Sequence, residues 1–93
     1  MSFIEVRNKK GTSNHNPPYG YTSWLDFWEK KQGKKASSCE VLLCNGKAEV
    51  GGHVYIVDEG SKEYILPMCY GCNNKPDRET FKALESDLVA CKH

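Results

Sequence analysis

The residues best able to do chemistry in this chain are its cysteines and one histidine. Cys39 and Cys44 form C-x4-C, and Cys69 and Cys72 form C-x2-C. Zinc at a structural site takes four ligands in a tetrahedron, with thiolate sulfur at about 2.3 Å. Two short turns that each aim two thiolates supply that geometry, so the spacing reads as a four-cysteine zinc site. The alternatives are a disulfide pair, buried free thiols, or iron in place of zinc, because tetrahedral sulfur suits both metals. Cys91 is left over from the two pairs and reads as a small buried hydrophobe, with a ligand or redox role as the alternative.

His53 follows two glycines, Gly51 and Gly52. Its ordinary pKa of about 6.5 suits a general base near neutrality. The structural alternatives are a hydrogen bond from its ring to a carbonyl or a cysteine sulfur, in support of the zinc, or direct ligation in place of one cysteine. His15 and His93 have no local constellation and receive no role.

These side chains need elements to position them. Residues 1–20 read as an N-terminal arm, within which Phe3, Ile4 and Val6 could make one short strand. The remaining residues, 21–93, read as a single zinc-stabilised domain. A helix is expected over 22–32, capped by Thr22 or Ser23, with Asp26 in its first turn and Gly33 as its stop. Trp24, Phe27, Trp28 and Lys31 recur on it at helical spacing, and such a stripe is the mark of a core face. Residues 39–46 form the first knuckle and 69–75 the second. Between them, 48–67 alternates as a β-hairpin with its turn at Asp58–Ser61. Gly51 and Gly52 inside a strand imply a bulge, or a backbone that something approaches closely. A second helix is expected over 77–91, capped by Asp77, with Phe81, Leu84, Leu88 and Cys91 on one face.

A chain of 93 residues with 39% hydrophobic content buries a thin core. The cysteine site is the natural staple for it. No apolar h-region opens the sequence and the longest apolar run is Val41–Cys44, so a cytoplasmic protein without a membrane segment is expected. In a reducing compartment, closely spaced cysteines favour metal over disulfide.

The order knuckle, hairpin, C-x2-C, helix looks like a treble-clef zinc finger. The fold class expected is therefore α+β: a small treble clef with zinc knuckle, β-hairpin and C-terminal helix, plus an added N-terminal amphipathic helix. Ala48–Tyr55 followed by Ile65–Lys75 resembles the HNH (ββα-metal) endonucleases that carry four cysteines on an extra zinc. The likeness covers roughly residues 39–75. It implies His53 as the base that activates water. It implies Asn73, or its neighbour Asn74, as a residue helping to hold a catalytic Mg or Mn ion. The family's middle Asn or His has no counterpart in residues 54–68, and Gly52 stands where the family usually has an acidic residue or histidine. The resemblance thus implies a degenerate HNH module that binds nucleic acid or a protein partner without catalysis. The alternative is an active metal-dependent nuclease.

Charge bears on the partner. Residues 1–38 carry seven Lys/Arg against three Asp/Glu, net +4, while residues 39–93 carry six against nine, net −3. The part that resembles a nuclease is therefore poor in the clustered cations that phosphates need. Lys30, Lys31, Lys34 and Lys35 could follow a phosphate backbone with Trp24, Phe27 and Trp28 as stacking surfaces. The competing reading makes the aromatics core and the lysines a solvated face.

Overall fold

The structure is a computed structural model that describes residues 2–9, 16–60 and 62–91. The part of the arm between residues 10 and 15, with His15, lies outside the described residues, as does His93. Five strands form one antiparallel sheet: β1 (Phe3–Asn8), β2 (Val50–Ile56), β3 (Glu63–Met68), β4 (Thr80–Leu84) and β5 (Val89–Ala90), in the order β4-β1-β2-β3-β5. Helix α1 (Trp24–Gln32) covers one face, and the two cysteine loops lie against the other. A single helical turn, α2 (Tyr70–Asn73), carries the second cysteine pair. Among the described residues no helix is long and apolar enough to cross a membrane.

The sheet is not a treble clef. The expected helix over 77–91 is absent, and the fold-class reading built on it is overturned. That segment forms a turn closed by Glu79 N–H donating to Pro76 O, then β4, a 3-10 turn at Glu85–Asp87, and β5. The apolar spacing that suggested a helix also contains a period of two, with Phe81 and Ala83 turned inward and Lys82 outward. A strand can use that period only if it finds a partner, and β1 provides one. Phe3 to Arg7 pairs residue by residue with Leu84 to Thr80. β1 is therefore an interior strand of the sheet, with Val6 and Asn8 fully or almost fully buried. β5 then closes the other side by pairing with Tyr64 and Ile65 of β3.

The central hairpin follows its sequence pattern. Val50–Ile56 pairs with Glu63–Met68 without a bulge, from Val50 opposite Met68 to Tyr55 opposite Glu63. Asp58 and Gly60 take positive φ, 73° and 80°, to turn the chain. Helix α1 begins where the caps predict. The Ser23 hydroxyl accepts from the Asp26 N–H, and Gly33, at φ 74°, donates its N–H to Glu29 O. Phe27 and Trp28 are buried with Ile65, and Trp28 Nε1 donates to Asp87 O at 2.7 Å, which fastens the helix to the 3-10 turn. The aromatic stripe is core.

The two glycines of β2 admit neighbours on opposite faces. A Cβ on Gly51 would stand 2.7 Å from Leu25 N, because the first turn of α1 lies directly on the strand. A Cβ on Gly52 would stand 2.0 Å from Met68 Cε and 2.6 Å from Asn73 Oδ1. The close approach that these glycines imply is made by the fold's own helix and second knuckle.

Candidate metal centre

Both knuckles lie at the open end of the β2–β3 hairpin, the first leading toward Val50 and the second following Met68. The first is tied down on three sides. Cys39 N–H donates to Gly46 O, Glu40 N–H to Pro67 O on β3, and Leu42 N–H to Lys82 O on β4. Cys44 N–H closes the turn on Val41 O, and Leu43 adopts φ 69° so that Cys44 faces back toward Cys39. Gly46 sits against the second knuckle, where an added Cβ would come 3.2 Å from Cys69 Cβ. In the second knuckle, Cys69 caps α2 and its sulfur accepts from the Cys72 N–H at 3.4 Å. Cys44 Sγ accepts in the same way from the Gly46 N–H at 3.4 Å.

The four sulfurs of Cys39, Cys44, Cys69 and Cys72 converge, all within 4.8 Å of one another. Cys44 Sγ lies 3.8 Å from Cys69 Sγ and 3.7 Å from Cys72 Sγ. A tetrahedron with metal–sulfur bonds of about 2.3 Å has edges of about 3.8 Å. A disulfide would need about 2.05 Å, and all four thiols are free. The four cysteines are thus positioned to hold a metal ion.

Electrostatics point the same way. Burial pushes the Cys39 thiol up. Burial first, then the Cys69, Cys44 and Cys39 sulfurs, push the Cys72 thiol far up. Cys69 is drawn down, chiefly by the N–H of Cys72. Four thiolates cannot share this space alone, and a cation at their centre removes the repulsion that keeps them protonated.

The two residues implied as catalytic are not brought together. His53 is 4% exposed, faces α1, and meets Trp24 edge-to-face at 4.6 Å between ring centroids. Asn73 lies on the opposite side of β2, where its Oδ1 faces Gly52 and its carbonyl accepts from the Asn8 amide.

His53 instead gathers with Glu63 and Cys91, their ligand atoms all within 4.8 Å of one another. Glu63 also receives the Lys9 ammonium at 2.6 Å. Burial, and next the Glu63 carboxylate, push the Cys91 thiol up. In the sequence His53 and Cys91 stand out separately, and nothing marks Glu63. Strand pairing is what unites them, since the Cys91 N–H donates to Glu63 O.

No protein-family model matches the chain, and no curated protein and no solved structure resembles it at a significant level.

Proposed function

We propose that this protein is a zinc-stabilised binding module, non-catalytic at the four-cysteine site, whose partner is a protein. The observation that carries this reading is the closed donor set. Four sulfurs from Cys39, Cys44, Cys69 and Cys72 lie within 4.8 Å of one another. Four protein ligands leave a zinc ion no open position for water or substrate, and that is the arrangement of structural rather than catalytic sites. Zinc is the metal favoured by four thiolates in a small domain with a thin core.

The choice of partner rests on what the folded surface offers. Phe27 and Trp28 are buried, so they offer no platform on which bases could stack. The tips of the two knuckles, by contrast, hold apolar side chains in solvent: Leu43 is 90% exposed and Tyr70 58%, with Leu42 beside them. Exposed leucine and tyrosine beside a rigid metal-held loop suit a protein interface better than a phosphate backbone.

The test uses the zinc-loaded full chain against single- and double-stranded DNA and RNA, with magnesium or manganese present. Neither cleavage nor salt-dependent retention of nucleic acid is expected. Cleavage lost in His53→Ala with zinc still bound would replace this reading with that of an HNH-type nuclease. Tight salt-dependent binding without cleavage would replace the protein partner with nucleic acid.

A further inference from the structure

The geometry points to a second metal site, formed by His53, Glu63 and Cys91, on the face of the sheet opposite the four cysteines and able to take a divalent transition ion such as zinc. The three residues come from neighbouring strands. Tyr55 pairs with Glu63 across β2 and β3, and the Cys91 N–H donates to Glu63 O just beyond β5. His53 is two residues from Tyr55 and therefore points to the same face. Alternation places Glu63 and Cys91 there as well, beneath α1. The four-cysteine site packs with Val54, Leu66 and Met68 on the other face.

A histidine nitrogen, a carboxylate oxygen and a thiol sulfur within 4.8 Å of one another form a triangle of ligand atoms. In a nucleophile–base–acid relay the base stands between its partners, and the thiol has no need to meet the carboxylate. Mutual closeness of all three is what a shared cation requires. The ligand types agree, because imidazole, thiolate and carboxylate together suit zinc and its cobalt substitute. Two supports hold the ligands in place. The T-shaped contact with the Trp24 ring restrains the His53 ring, and Lys9 Nζ, 2.6 Å from Glu63 Oε2, holds that carboxylate in place. Three protein ligands leave a fourth position for water, so this site should bind more weakly than the closed one. This inference goes beyond the proposed function and does not depend on the partner.

The experiment adds cobalt(II), under reducing conditions, to full-length protein already carrying one equivalent of zinc. A second equivalent should bind and give a sulfur-to-cobalt charge-transfer band roughly a quarter as intense as that of a four-thiolate cobalt site, one thiolate against four. Cys91→Ser and Glu63→Gln should each weaken this step at least about tenfold while the first zinc stays bound. Glu63 is partly exposed, so its variant tests the site without opening the core. Absence of a second step, or its retention in either variant, would overturn the proposal. Occupancy of the first site by zinc is read separately by native mass spectrometry, so failure here leaves the four-cysteine account standing.

Discussion

The side-chain amide of Asn8 donates a hydrogen bond of 2.9 Å to the carbonyl of Cys72, across 64 residues of sequence. The same nitrogen also reaches Asn73 O at 3.3 Å and Lys75 O at 3.1 Å. One buried amide on β1 thus gathers the carbonyls at the end of α2, where Cys72 O also accepts from the Lys75 N–H at 3.2 Å. The sheet and the metal loop are joined through this residue. Asn8→Ala should lower zinc affinity by about 10–100-fold, the usual effect of losing a group that orients ligands. It should also cost about 0.5–1.5 kcal/mol of stability through the lost hydrogen bonds, since Cys72 O keeps the one from the Lys75 N–H. Competition with a chromophoric chelator and thermal melting measure the two effects. Wild-type values in both would show that Asn8 does not position the knuckle.

Gly51 and Gly52 yield a paired prediction. Alanine at 51 would press on the backbone of α1 at Leu25 N, 2.7 Å away, whereas alanine at 52 meets the mobile end of Met68 and the side chain of Asn73. A backbone cannot step aside as a methionine methyl can. Gly51→Ala should therefore destabilise more than Gly52→Ala, by about 1–3 kcal/mol or above for the first. It should also disturb the near-UV dichroism of Trp24 and Trp28. Gly52→Ala should mainly weaken metal binding, through Asn73. Equal effects on stability would contradict the assignment of the two faces.

Leu43 offers a stabilising change. It is 90% exposed and holds φ 69°, the left-handed region that costs a side-chain-bearing residue about 1–2 kcal/mol. Leu43→Gly should raise the unfolding free energy by up to about 1 kcal/mol, less the larger entropy that glycine gives the unfolded chain. It should leave zinc stoichiometry unchanged. If Leu43 also contacts the partner, the same variant should bind that partner more weakly despite its greater stability. Chemical denaturation of the zinc-loaded protein checks the first effect, and a fall in stability would argue against strain at this position.

Acid should release the metal. Burial and the neighbouring sulfurs hold the Cys72 thiol well above its ordinary range, and burial does the same for Cys39, so protons compete strongly for both sulfurs. The N–H of Cys72 works in the opposite direction on Cys69. In the metal-free site the proton is favoured at two of these three cysteines, so zinc must displace protons to bind. Metal affinity, and the stability drawn from it, should therefore rise with pH through neutrality and fall as pH drops. The fall should be more than about tenfold in affinity per pH unit while more than one proton is displaced. Proton release on zinc addition to weakly buffered protein measures the number directly. Affinity independent of pH between 6 and 8 would contradict thiolate ligation.

Which parts of this molecule can be read from sequence depends on how local their determinants are. The cysteine pairs, the β2–β3 hairpin and the Ser23 and Gly33 caps of α1 each depend on residues within a few positions of one another, and all appear in place. The C-terminal segment depends on β1, some 75 residues away, and nothing near Phe81 announces that partner. Leu88 and Cys91 fitted a helical face and in fact lie in different packing clusters. The alternation of Phe81 and Ala83 around Lys82, and Val89 beyond, were the available signs of strand. The grouping of His53 with Glu63 and Cys91 was hidden for the same reason, because it exists only once β3 and β5 pair. Gly51 and Gly52 are consistent with either a bulge or a close approach; the strand has no bulge, and the approaching groups are protein backbone and side chains.

Chelation should be costly for so small a fold. Structural zinc supplies on the order of 10–16 kcal/mol of apparent binding free energy, while a typical domain is stable by about 5–15 kcal/mol. Removal of the ion should therefore unfold the knuckles and the strands they anchor, with loss of near-UV signal and of the thermal transition. The most direct measurement is X-ray absorption at the zinc edge on protein loaded with a single equivalent. Four sulfur neighbours at about 2.3 Å are expected, with no nitrogen or oxygen in the shell. A folded protein that takes up no zinc, or a first-equivalent shell of mixed sulfur, nitrogen and oxygen, would contradict the four-cysteine site.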